Sequence, residues 1–176
     1  MSEPLKSYWD VLLPKFESIN VYETAERYFS SCADAGRPIV FLYATHMCAS
    51  EVHNGGFLQL FWNSTGISVP EAVEGYRAMG MNGLAELVES TARLLGDPYP
   101  RNRDDRWDAL LVSSGRTSED LEAIFKRNEN LYLAFQEATA PLNFDPLDRE
   151  FWHLAGADAG GYQEAATRYA QSLASD

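Results

Sequence analysis

Apolar and polar residues repeat with the period of an α-helix in one segment after another, and they almost nowhere alternate with the period of a strand. The most regular segment runs from Ser118 to about Ala138, where Leu121, Ile124, Phe125, Leu131, Tyr132 and Phe135 keep the 3.6-residue period. Asn128 interrupts that stripe, and a polar amide at a core position needs hydrogen-bond partners there. The spacing predicts one long helix in which Asn128 meets another polar group inside. The segment from Asn82 to Gly96 is also amphipathic: Leu84, Leu87, Val88, Thr91, Leu94 and Leu95 take one face, and Glu86, Glu89 and Arg93 the other. From Pro38 the run PIVFLYATHMCASEVH is apolar on nearly all sides through Ala44, the pattern of a helix buried all round and placed centrally. The β-branched and aromatic residues from Ile39 to Tyr43 leave a strand as the competing reading.

Glycine, proline and asparagine mark the other boundaries. Pro4 suits the first turn of a short helix running towards Leu13, with Pro14 after it. Asn20, with Glu23 three residues later, resembles a capping box that opens a helix to about Asp34. Ser68 and Pro70 start a helix that Gly80 ends, and a short helix around Trp107 to Val112 follows the loop GDPYPRNR. A last helix runs from about Gly161 to Leu173. The expected fold is all-α: one compact domain spanning residues 1–176, with about seven or eight helices around a buried central one.

The richest stretch is EVHNGGFLQLFWNSTG, Glu51 to Gly66. Asn54 and Gly55 suit the left-handed conformation of a helix C-cap, Gly56 allows a sharp turn, and a short helix begins near Phe57. On it Phe57, Leu60 and Phe61 form an apolar face, while Gln59 and Asn63, four apart, share another. Asn63, Ser64, Thr65 and Gly66 then end that helix. Such a corner brings Glu51, Gln59 and Asn63 close enough to bond to one another or to loose backbone groups, which favours a structural joint over a ligand pocket.

Charge changes the functional picture. The 176 residues carry 26 acidic and 14 basic side chains, a formal net charge of −12, so the average surface repels a phosphate backbone and direct nucleic-acid binding is not expected. Arg101, Arg103, Arg106 and Arg116 form a mildly basic island, but Asp104, Asp105 and Asp108 are interleaved with them and self-pairing is the expectation. Cys32 and Cys48 read as small buried apolar groups in a reducing compartment. No leader and no long apolar span is visible, so the expected location is the cytoplasm, without membrane attachment.

Catalytic patterns are sparse. His46 and His53, seven apart, share a helix face, yet no acidic residue completes a metal site, and both read as hydrogen-bonded structural histidines. Cys48 does not face either histidine, and no nucleophile elbow or phosphate loop occurs. No enzyme activity, metal or cofactor is expected.

Glu51, Asn54-Gly55-Gly56-Phe57, Gln59, Asn63 and Gly66 resemble, in identity and spacing, the signature of a bacterial family of small helical domains that includes a DNA-mimic protein. LDREFWHL, Leu147 to Leu154, is similar to a further feature of that family, an acidic residue followed by two aromatics. The resemblance implies a helical fold and an acidic surface that occupies the DNA-binding face of a basic or DNA-binding protein. Glu71, Glu74, Glu86, Glu89, Glu119, Asp120 and Glu122 are the candidate acidic surface, although Arg93 follows Glu89 by four and Lys126 follows Glu122 by four, the spacing of self-neutralising pairs. Two other readings remain open: an immunity or inhibitor protein against one toxin or enzyme, and a small-ligand binder or enzyme using Glu51, His53, Gln59 and Asn63. A homodimer is compatible with the sequence, which does not fix the oligomeric state.

Overall fold

A computed structural model describes residues 7–173. Among these residues the regular structure is helical throughout, with ten α-helices and five short 3-10 segments and no strand. The α-helices are α1 (Trp9–Leu12), α2 (Ala25–Ala35), α3 (Arg37–Trp62), α4 (Val69–Ala78), α5 (Asn82–Ala92), α6 (Arg103–Ser113), α7 (Ser118–Asn128), α8 (Leu131–Thr139), α9 (Asp145–Ala157) and α10 (Tyr162–Leu173).

Residues 40–45 of α3 are all buried, so a β-branched and aromatic stretch lies in a helix with no solvent-facing side. Inside a protein the helix satisfies its own backbone groups, which a lone strand could not do. α3 packs against α1, α2, α4, α6, α9 and α10. Near its C-terminal end Trp62 stacks on Trp107 of α6, with ring centroids 4.0 Å apart and planes at 11°. Phe135 of α8 closes on both rings, which ties the α7–α8 hairpin to α3 through α6. Arg103 lies over the Trp107 ring at 4.9 Å.

Three boundaries differ from those expected. The α2 helix is capped by Thr24, whose Oγ1 accepts from Arg27 N–H at 3.3 Å. The Asn20 side chain instead accepts from the N–H groups of Tyr22 and Glu23 in a turn before the helix. Ile19 and Val21 are buried on either side of Asn20 and hold the chain extended there, which delays the helix. At the N-terminus Pro4 lies outside the described residues; α1 ends at Leu12 and Pro14 opens a 3-10 segment, Leu13–Ser18.

The third difference is the largest. Residues 118–138 form two helices, because Glu129 adopts the left-handed conformation (φ 52°) and Asn130 caps α8 by accepting from Leu133 N–H at 3.0 Å. The chain doubles back, so the stripe of α8 packs beside that of α7 instead of extending it. Asn128 is consequently exposed, and its amide donates to Glu137 Oε2 at 3.0 Å. This break and the additional helix α9 raise the count to ten, above the seven or eight expected. Among the described residues no helix is long and apolar enough to cross a membrane. Both cysteines are free thiols, Cys48 buried and Cys32 half-buried.

Asn128→Ala tests the exposed placement. Loss of one solvent-facing hydrogen bond should cost no more than about 0.5–1 kcal/mol in urea denaturation, against about 1–3 kcal/mol for unpairing a buried amide partner.

Candidate functional site

The site begins with a break in α3. Gly55 (φ −155°, ψ 22°) and Gly56 (φ 76°, ψ −175°) leave helical geometry, which divides the helix into limbs of residues 37–54 and 57–62. The positive φ of Gly56 disfavours any residue with a Cβ. Such a break strands carbonyls at the end of the first limb and N–H groups at the start of the second.

Helix α9 meets both needs. Asp148 Oδ1 accepts from Phe57 N–H at 2.8 Å, an N-cap supplied from another helix, and Trp152 Nε1 donates to Val52 O at 3.4 Å. A Cβ on Gly56 would come within 2.3 Å of Asp148 Oδ2, so the glycine that turns the chain also admits the carboxylate. Burial pushes the Asp148 carboxyl above the usual range, and the Phe57 N–H opposes that shift. Between these two contacts Phe151, fully buried, sets its ring edge-on to Phe57 at 5.7 Å and to His53 at 5.8 Å. The acidic residue and aromatics of LDREFWHL thus form a clamp on the glycine break.

Glu51 joins the limbs. Its Oε2 accepts from Gln59 Nε2 at 2.7 Å and Asn63 Nδ2 at 2.8 Å, and its Oε1 accepts from Thr65 Oγ1 at 2.7 Å. The residue is 9% exposed, and among the described residues no cation pairs with it. Three neutral donors therefore replace the water that a carboxylate would lose on burial. The expected proximity of Glu51, Gln59 and Asn63 is met, with Thr65 as a third donor that the spacing did not reveal. Phe57, Leu60 and Phe61 enter the core fully, as their face predicts, and Asn54 stays exposed beside the break.

The far end of the corner depends on an arginine forty residues downstream. Arg106 is fully buried; its Nε donates to Phe61 O at 3.1 Å, one terminal nitrogen to Arg101 O at 2.7 Å, and the other to Asn63 O at 2.7 Å. Trp107 Nε1 adds a bond to Trp62 O at 3.1 Å. Orphan carbonyls at the negative end of α3 thus receive a cation and an indole N–H. A Cβ on Gly66 would lie 2.5 Å from Leu60 O and 2.9 Å from Arg106 Nε, which explains why the corner closes on glycine.

The arginine island does not pair with the aspartates between its members. Arg101 binds Glu71 through both carboxylate oxygens, at 3.0 and 2.7 Å, Arg103 covers Trp107, and Arg106 binds carbonyls. The sequence does hold a signal for this: Arg106 precedes Leu110 by four and so lies on the buried face of α6.

The histidines remain apart from one another. His46 Nδ1 meets the Tyr8 hydroxyl at 2.9 Å and His53 Nδ1 meets Ala49 O at 2.7 Å. Among the described residues no group of three or more His, Cys, Asp or Glu side chains is placed to hold a metal ion.

Most of the candidate acidic surface is already engaged. Glu71 binds Arg101 and the Tyr28 hydroxyl, Glu74 binds Arg37, Glu89 binds both Arg77 and Arg93, and Glu122 binds Lys126. Asp120 completes a capping box with Thr117 at the start of α7. Glu86 and Glu119 are exposed and form no ion pair with the described residues. Glu150 of α9, also exposed and without an ion pair among them, was not expected as a candidate. Helices α5 and α9 pack together, with Gly83 against Leu154 and Leu84 N–H bonded to Asp158 Oδ2 at 3.1 Å. Glu86 stands one turn beyond Gly83 on α5, and Glu150 one turn before Leu154 on α9.

Three substitutions at two positions test the corner. Glu51→Leu removes the acceptor of one buried and two half-buried donors and should cost about 2–4 kcal/mol, whereas Glu51→Gln, which keeps one oxygen, should cost about 1–2 kcal/mol by chemical denaturation. Arg106→Lys loses the planar fork that reaches three carbonyls and should cost at least about 2 kcal/mol despite keeping the charge.

No curated protein and no solved structure matches the chain. One family model does, over residues 37–172, a span that begins at α3 and contains the glycine break, the Glu51 joint, the Arg106 cap and the α9 clamp. With more than half of its length matched, the chain belongs to the DMP19-like protein family.

Proposed function

We propose that this protein is an acidic interaction module that binds a basic protein at the surface which that protein otherwise offers to DNA. Membership of the DMP19-like family carries the reading, since the Glu51-to-Gly66 signature is the one that resembles a family with a DNA mimic. The net charge of −12 supplies the attraction. Duplex DNA presents one charge per ~1.7 Å of axis, and carboxylates on successive helical turns stand about 5–6 Å apart, near the phosphate spacing along one strand.

The surface best suited to this role is the seam between α5 and α9. Glu86 and Glu150 are free of the ion pairs that neutralise Glu71, Glu74, Glu89 and Glu122. The Glu51 corner has the opposite character: Glu51 and Thr65 are buried, Gln59 and Asn63 half-buried, all four are joined by hydrogen bonds, and the corner gives the fold its shape. Its part is to hold the two limbs of α3 together, while Asp148 and Trp152 fix α9, and with it Glu150, against the break.

The test is capture of DNA-binding proteins from the source cell on the immobilised chain, followed by elution with rising salt or with duplex DNA. Capture should weaken steeply with salt, as expected for exposed charges, and duplex DNA should displace the partner. The double charge reversal Glu86→Lys with Glu150→Lys should reduce capture at least tenfold and leave helical content and thermal unfolding unchanged. Capture that ignores salt, resists DNA, or survives the double reversal would overturn the proposal.

A further inference from the structure

The segment of residues 7–18 is docked on the helical body through one titratable side chain. Tyr8 and Leu12 are fully buried, and Trp9 and Phe16 pack beside them. His46 of α3 stands at the centre of this contact. Its ring lies 4.5 Å from that of Trp9, 6.0 Å from Phe16 and 6.1 Å from Tyr8, and its Nδ1 is 2.9 Å from the Tyr8 hydroxyl. On the other side Tyr162 of α10 sets its ring edge-on to Tyr8 at 5.7 Å, and Tyr8 N–H reaches Thr167 Oγ1 at 3.3 Å. Residues 7–36 precede the span that matches the family model, whereas His46 lies within it.

The hydrogen bonds around His46 suit a neutral ring. Thr45 Oγ1 donates to Phe41 O at 2.7 Å, so it can accept from the Tyr162 hydroxyl at 3.3 Å. The Tyr8 hydroxyl is then able to donate to His46 Nδ1 when the ring is neutral and that nitrogen carries no proton. A proton on Nδ1 makes the Tyr8 hydroxyl turn its own proton away from the ring and leaves an imidazolium in the half-buried space among the rings of Tyr8, Trp9 and Phe16. Among the described residues no carboxylate forms an ion pair with His46. The charged groups of the docked segment are Asp10, Lys15 and Glu17, and the Asp10 carboxylate accepts from Ser7 N–H. The titratable neighbours on the packed elements are Tyr8, Tyr43 and Tyr162, all neutral near pH 6.

We propose that His46 is a pH-sensitive latch whose protonation releases residues 7–18 from α3 and α10. Burial holds the His46 ring below its ordinary range. A histidine with a lowered folded-state value supports docking fully above its unfolded value near 6.5, and that support is lost as the pH falls below it. Release exposes the faces of Tyr43 and Tyr162 that the segment covers. The neutral ring and the docked segment are therefore one state, and the imidazolium and the undocked segment the other.

Hydrogen exchange read as protection factors, which remove the intrinsic pH dependence, decides the matter. Between about pH 7.5 and pH 5.5, protection of the α1 amides should fall several-fold more than protection of α4 and α5. In His46→Gln, which can accept from Tyr8 but cannot titrate, the α1 amides should keep their protection at both pH values. Unchanged α1 protection in the natural chain, or the same loss in the variant, would overturn the latch. Should the variant fold poorly, NMR titration of the natural chain replaces it: the His46 ring and the Trp9 indole must shift with a common midpoint, and separate midpoints would overturn the proposal.

Discussion

The fold rests on a helix that is broken in its interior without leaving its backbone polar groups unpaired. An unmatched buried N–H or carbonyl costs about 1–3 kcal/mol, so a turn at Gly55 and Gly56 is tolerable only if other parts of the chain supply partners. They do so from both sides. Asp148 and Trp152 of α9 take the two faces of the break, while Arg106 and Trp107 of α6 take the carbonyls at the end of the second limb. Glu51 then links the limbs through Gln59, Asn63 and Thr65. The positions of α6 and α9, and with them much of the molecular surface, follow from how α3 is repaired.

This explains the pattern of what could be read from the chain. Local devices were legible: the break at the glycine pair, although its left-handed residue is Gly56 and not Asn54 or Gly55, the inward face of Phe57, Leu60 and Phe61, and the shared face of Gln59 and Asn63 all depend on neighbours within one or two turns. Partners from distant segments were not. Nothing within a few residues of Gly66 marks Arg106 as the group that excludes a Cβ there, and nothing near Gly56 marks Asp148. The break at Glu129 was missed for a related reason: the helical period continues across it, and the residue that turns the chain is neither glycine nor proline. Asn130, a good N-cap, was the available sign, and it lay hidden in a stripe that remained in phase.

The charges give the same lesson in another form. Spacing along one helix identified the Glu122–Lys126 and Glu89–Arg93 pairs, but it could not identify the cross-helix pairs of Glu71 with Arg101, Glu74 with Arg37, or Glu89 with Arg77. These pairs use up acids that the net charge of −12 appeared to leave free. Exposed ion pairs contribute only about 0–1 kcal/mol each to stability, so their main effect is on the field outside the molecule. Where they occur, the surface is locally neutral.

On the proposed reading, the surface for a basic partner is to be sought where acids have no ion pair among the described residues, and Glu86 of α5 and Glu150 of α9 meet that condition. These two helices are fixed by the same kind of interaction that repairs α3, since Asp158 receives Leu84 N–H at the start of α5 just as Asp148 receives Phe57 N–H. Each aspartate accepts from the N–H at a helix start and so becomes a structural group. Glu86 and Glu150 are exposed and form no ion pair with the described residues. In this chain the acids that build the scaffold and the acids available to a partner are different residues on the same helices, so charge reversal at the exposed ones can separate binding from folding.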